Sequence, residues 1–66
     1  MDWKKKVKEL RNKMYVTQME LGDILGVSFS TVNRWEMGLH EPTMKMKRKL
    51  IILFKENDIR EENYNE

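Results

Sequence analysis

Gly26 stands between two short apolar-patterned stretches, and its position constrains the fold more than any other feature. From Gln18 to Gly38 the chain reads QMELGDILGVSFSTVNRWEMG. Leu21 and Leu25 lie one helical turn apart, with Gly22 between them. Val32 and Trp35 lie three residues apart further on. Gly26 interrupts the pattern and Ser28 restarts it. Glycine reaches positive φ without the penalty a Cβ imposes, so it suits the residue that ends one helix and turns the chain. Serine is a strong N-cap for the helix that follows. Gly22 lacks a side chain, so another helix can approach its backbone closely. The spacing predicts two short helices joined at a tight bend.

The remaining segments also read as helical. Trp3, Val7, Leu10 and Met14 recur at three- and four-residue spacing, which marks one buried face of a helix over Asp2 to Met14. Tyr15-Val16 is a short connection. Thr17 caps a second helix, Gln18 to Leu25, and Glu20 completes a capping-box pattern. A third helix runs from Phe29 to Met37 and is closed by Gly38. Pro42 forbids helix through the loop Leu39-His40-Glu41-Pro42. Thr43 then caps a fourth helix, which carries Met46, Leu50, Leu53 and Phe54 on one face and ends near Glu56. No segment alternates like a strand. The expected fold is all-α with four helices. Its expected core is Val7, Leu10, Met14, Leu21, Leu25, Val27, Val32, Trp35, Met46, Leu50 and Phe54. Residues 1–56 are expected to form one domain. Residues 57–66 are expected to form a frayed polar, acidic tail, with Ile59 and Tyr64 as candidate local anchors.

Sixty-six residues make a single small domain that cannot also house a deep catalytic cleft. Cysteine is absent, which excludes a disulfide framework and a thiolate metal site and fits a reducing cytoplasm. The longest apolar run, Leu50 to Phe54, is too short to span a bilayer. No apolar stretch follows Met1-Asp2-Trp3-Lys4, so the start does not read as a signal peptide. The net charge is only +2, but it is segregated. Lys4, Lys5, Lys6, Lys8, Arg11 and Lys13 crowd the first helix, and Lys45, Lys47, Arg48 and Lys49 crowd the fourth. Glu56, Asp58, Glu61, Glu62 and Glu66 gather at the end. Without that end the body is clearly basic, which suits a polyanionic partner. The bland alternative is that these lysines are solvated helix faces.

Thr17-Gln18, Leu21-Gly22, Leu25-Gly26-Val27, the run SFSTVNRWEMG from Ser28 to Gly38, and Pro42-Thr43 together resemble the Cro/repressor helix-turn-helix family, often called XRE-like. The resemblance covers roughly Val7 to Phe54. Two departures stand out. The family usually has alanine where Gly22 stands, and it often has a fifth helix, for which little material follows Asn57. The resemblance implies a compact domain of the phage-repressor type that binds double-stranded DNA. Its third helix would lie in the major groove with its N-terminal residues at the base edges. It also implies a cytoplasmic regulator of bacterial, phage or plasmid origin.

Within that frame Val32 and Trp35 point inward, and Phe29, Ser30, Thr31, Asn33 and Arg34 point outward. The resemblance implies base contacts at Phe29, Ser30 and Arg34, with Asn33 close by. Arg34 can donate two bonds to guanine, and Asn33 can pair with adenine. Phe29 would meet a thymine methyl group, or else tuck back onto the core. Arg34 has the alternative of a solvated or ion-paired surface arginine. The Gln18 side-chain amide and the free N–H groups at its helix start would hold a DNA phosphate. Thr17 and Ser28 are caps first and phosphate donors second; Thr31, Thr43 and Lys45 are further candidate backbone contacts. The resemblance pairs Arg11 with Glu36 as a structural ion pair. His40 reads as an exposed loop residue, and no second histidine is present to build a metal site.

Met19, Ile24, Met44, Ile51 and Ile52 exceed what one core face needs. Ile51 and Ile52 lie off the main stripe of the fourth helix and could meet a second copy, so a homodimer on DNA is expected. An interaction module, an antitoxin or a complex subunit, is the alternative to a DNA-binding regulator. No nucleophile–base pair, phosphate-cradling glycine loop or metal cluster is visible. No enzymatic activity, cofactor, small-molecule substrate or membrane partner is expected.

Overall fold

The computed structural model describes residues 1–60 and contains four helices, α1 (Trp3–Met14), α2 (Gln18–Leu25), α3 (Phe29–Glu36) and α4 (Met44–Glu56). No strand occurs among the described residues. Side-chain caps define the helix starts. Asp2 lies outside α1 and accepts the Lys5 N–H at 3.2 Å. The Thr17 hydroxyl accepts the Glu20 N–H at 3.1 Å, and the Glu20 carboxylate accepts the Thr17 N–H at 2.8 Å. Both halves of the capping box are therefore present, satisfying two amides that a helix start otherwise leaves unpaired. Ser28 and Thr43 accept the Thr31 and Met46 amides at 3.2 and 3.3 Å.

The helix ends use different means. Gly26 takes φ 80 and ψ 30, the left-handed conformation its place in the sequence calls for. The N–H groups of Gly26 and Val27 both donate to the Gly22 carbonyl, at 2.7 and 2.9 Å. Lys49 reaches across from α4 and donates to the Leu25 carbonyl at 3.3 Å. The third helix stops at Glu36, one residue before the expected Met37, which serves as its cap. α1 ends at Tyr15 with φ 58 and ψ 44, a conformation that L side chains adopt only at a cost.

Each helix buries one stripe. Val7 and Leu10 of α1, Leu21 and Leu25 of α2, Val32 and Trp35 of α3, and Met46, Leu50 and Phe54 of α4 meet in one cluster. Met14 and Val27, expected inside, lie only half-buried at its margin. Both flank turns, where the chain leaves the packed layer. Trp3 covers the other end, stacked on Phe54 with ring centroids 6.0 Å apart. Lys47 stands over its ring at 5.4 Å, within cation–π range.

The packing continues past the expected boundary at Glu56. Asn57 and Asp58 form a turn, and the Ile59 N–H donates to the Phe54 carbonyl at 2.8 Å. Ile59 is 4% exposed and belongs to the core cluster. The Lys6 ammonium, itself largely buried, donates to the Arg60 carbonyl at 2.7 Å. Residues 57–60 are therefore part of the packed body and not a frayed tail. Tyr64, the other candidate anchor, lies outside the described residues.

Candidate nucleic-acid interface

α3 presents two contrasting faces. Val32, Trp35 and Glu36 are buried, whereas Phe29, Ser30 and Arg34 are exposed and Thr31 and Asn33 are half-buried. Phe29 is 50% exposed, so it does not tuck onto the core. The start of α2 lies beside this face. Arg11, Val16, Thr17, Gln18, Met19 and Phe29 line a shallow open groove between them. The sequence reading set Met19 aside as surplus apolar surface. Its place in the first turn of α2 follows from the sequence, but its position beside Phe29 depends on how the two helices cross.

A polar network fixes the floor of this face. The Arg11 guanidinium meets Glu36 with two bonds, Nε to Oε2 at 2.7 Å and Nη2 to Oε1 at 2.9 Å. The Glu36 side chain is 4% exposed and that of Arg11 21%, so the pair spans the boundary between core and surface. The Gln18 amide nitrogen donates to Glu36 Oε1 at 3.1 Å and to Asn33 Oδ1 at 3.3 Å. The Asn33 amide nitrogen lies 3.4 Å from the Met37 sulfur. Burial pushes the Glu36 carboxyl up, but the hydrogen bonds from Arg11 and Gln18 and the charges of Arg11 and Lys8 outweigh it. The group is held below the ordinary carboxylate range. The bond to Glu36 raises the Arg11 guanidinium, against the opposing effect of its partial burial.

The network also takes in Gln18, a candidate phosphate contact. A carboxamide nitrogen has two hydrogens, and both of those on Gln18 are committed within the protein. The Gln18 side-chain donors expected to meet a phosphate are therefore already engaged. The backbone N–H groups of Gln18 and Met19, in the first turn of α2, have no acceptor within the helix and point outward from its start.

The remaining candidates are spread around this face. Ser28 Oγ lies 3.2 Å from Ser30 Oγ and 3.1 Å from Thr31 Oγ1, so three hydroxyls cluster at the start of α3. Thr43 caps α4, and Lys45 is exposed in its first turn. His40 is exposed in the loop between α3 and α4. No group of histidine, cysteine and acidic residues suited to a metal ion occurs among the described residues, and none of the helices is long and apolar enough to cross a membrane.

A family model described as helix-turn-helix matches residues 7–57. No curated protein and no solved structure matches the chain. The match takes in α2, the bend at Gly26, α3 and α4, together with α1 from Val7 onward. The chain belongs to the Cro/repressor-like, XRE-type helix-turn-helix family of DNA-binding domains.

Proposed function

We propose that the chain is a small transcriptional regulator of the repressor type that recognises specific sequences in duplex DNA, with α3 seated in the major groove. One observation carries this reading. Phe29, Ser30 and Arg34 stand exposed on α3 while Val32, Trp35 and Glu36 are buried; Phe29 shares an open groove with the start of α2, and Arg34 lines a second groove with Thr31, His40 and Thr43. Arg34 offers a planar fork for guanine O6 and N7, and Phe29 offers an apolar surface for a thymine methyl. Ser30 and Asn33 complete the base-facing set. Thr17, Ser28, Thr31, Thr43 and Lys45, with the backbone amides at the start of α2, would grip the phosphates that fix the register. Residues 1–60 act as the DNA-binding unit.

Ile52 is 57% exposed on α4 and offers apolar surface for a second copy, whereas Ile51, expected beside it, is half-buried against the core. A two-fold dimer would read half-sites about 34–36 Å apart. The protein would act in a bacterial cytoplasm on a chromosomal, phage or plasmid operator.

Selection of bound duplexes from a random pool tests the proposal. A recurring, two-fold-related sequence supports it. Affinity should also fall steeply with salt, by a log–log slope of about 0.9 per neutralised phosphate. Arg34→Ala should cost about 1–3 kcal/mol at one base position and relax the preference there. No enriched sequence and no shifted duplex at low salt would instead make the chain a protein-interaction module, an antitoxin or complex subunit.

A further inference from the structure

We infer that Met37 is a site of reversible oxidation by peroxide, and that its sulfoxide weakens DNA binding by holding Asn33 back from the bases. The inference rests on the DNA-binding reading above and adds a regulatory chemistry to the same surface.

One contact at the end of α3 carries it. Met37 caps the helix one turn after Asn33, and the Asn33 amide nitrogen donates to the Met37 sulfur at 3.4 Å. Residues four apart are neighbours on a helix surface. Met37 is 58% exposed, so its side chain is open to a dissolved oxidant without any loosening of the fold. Met46, by contrast, is 8% exposed within the core. Met1, Met19 and Met44 are exposed as well. Among the described residues, Met37 is the methionine whose sulfur accepts a hydrogen bond from a side chain of the proposed base-facing set.

A thioether sulfur is a weak acceptor, so Asn33 gives up little in leaving it to meet a base. Oxidation changes that balance. A sulfur lone pair attacks one oxygen of hydrogen peroxide, and the S–O bond forms as the O–O bond breaks. The leaving hydroxide takes the proton of the transferred oxygen and departs as water. The sulfur loses two electrons and the peroxide gains them. The sulfoxide is polar, and methionine sulfoxide reductases return it to the thioether. Its oxygen carries partial negative charge and accepts an amide N–H far better than the thioether does. The other end of the Asn33 carboxamide, Oδ1, already accepts from Gln18 at 3.3 Å. After oxidation the amide is held firmly within the protein at both ends, and a base contact by Asn33 must first break a strong bond. Met37 lies outside the core cluster, so the added oxygen acts on the recognition surface and leaves the packing intact.

The test uses the full chain, hydrogen peroxide and the operator enriched from a random pool. Fragmentation of tryptic peptides locates the added oxygen and separates Met37 from Met44. Treatment should put oxygen on Met37 and weaken operator binding about fivefold or more, the loss of one base contact. Sulfoxide reductases should restore the affinity. Met37→Leu keeps an apolar side chain without a sulfur, and it should bind as tightly after treatment as before. Met37→Gln places a carbonyl acceptor near Asn33 and should weaken binding with no peroxide present. Asn33→Ala should lose no further affinity when Met37 is oxidised. The inference is overturned if Met37 takes up no oxygen, if Met37→Gln binds as the parent does, or if Asn33→Ala remains sensitive to the oxidation. It is equally overturned if Met37→Leu loses as much affinity on treatment as the parent. That variant retains Met19 and the core methionines, so an equal loss would place the effect there. Failure of the selection to enrich any duplex would overturn the DNA-binding reading itself and this inference with it. An enriched operator bound equally by the reduced and the oxidised protein would overturn the inference alone.

Discussion

The carbonyl oxygen of Val27 lies 2.6 Å from the point where a Cβ on Gly22 would stand. Side-chain carbons do not approach backbone oxygen that closely. Gly22 therefore sets how tightly α2 can fold back on the turn leading into α3. Alanine at this position would gain about 1 kcal/mol of helix propensity. It would also force the Val27–Ser28 backbone outward, and overpacking of this kind costs about 1–3 kcal/mol. Gly22→Ala is expected to be net destabilising by about 1 kcal/mol, read as a lower urea midpoint with an unchanged m value. A variant as stable as the parent would show that the turn yields freely.

Arg11→Ala removes both bonds to Glu36 and leaves a carboxylate of 4% exposure with the Gln18 amide as its remaining hydrogen-bond donor. Stranding one member of a buried pair typically costs about 3–5 kcal/mol. A domain of this size has on the order of 5 kcal/mol in total, so the variant should be largely unfolded at 37 °C by circular dichroism. Arg11→Lys should recover part of the loss, because an ammonium keeps the charge but lacks the two-pronged fork. Full stability in Arg11→Ala would remove the pair from any structural role.

Acid should weaken the fold through the same carboxylate. Glu36 titrates below its ordinary range in the folded protein, while an unfolded glutamate titrates near 4.3. Between those points the unfolded chain binds the extra proton, so stability rises with pH. The contribution is complete above the unfolded value and is lost as pH falls through the folded one. Denaturant melts from pH 6 downward should show stability declining below about pH 5. Glu36→Gln should flatten that decline. An equally steep decline in the variant would assign the acid sensitivity to other carboxylates.

Tyr15 ends α1 in the left-handed region at φ 58 while the residue is 93% exposed. The ring gains almost no burial to offset the backbone penalty, which is about 1 kcal/mol for a non-glycine residue. Tyr15→Gly should therefore stabilise the protein. The gain should be a few tenths to about 1 kcal/mol, because glycine also loosens the unfolded chain. Differential scanning calorimetry would detect it as a rise of a few degrees. A fall in melting temperature would mean that the ring makes a contact worth more than the strain.

Tyr15 also shows where sequence reading stops. Gly26 and Gly38 announce positive φ by their residue type, and both adopt it, at 80 and 76. A tyrosine carries no such signal, and its conformation follows from how α1 must hand over to α2. Thr17, Ser28 and Thr43 were legible as caps because capping depends on the residue and its neighbours three positions on. Ile59 was harder to place. It sits alone among polar residues, and only the docking of that turn against Phe54 and α1 shows that it is inside. The division of α3 into buried and exposed faces follows from periodicity. The hydrogen bonds that bind Gln18 to Asn33 and Glu36 do not, since they depend on the angle at which α2 meets α3.

The Lys6 bond to the Arg60 carbonyl joins positions 54 residues apart. Together with Ile59 it makes a clasp between the first helix and the last described turn. A ring closed in this way cannot fray from one end alone. Loosening the final turn uncovers the flank of α1, and α1 supplies Arg11 to the floor beneath the recognition surface. A cut or a bulky fusion next to Ile59 would thus be felt through α1, in how firmly Glu36 and Gln18 are held.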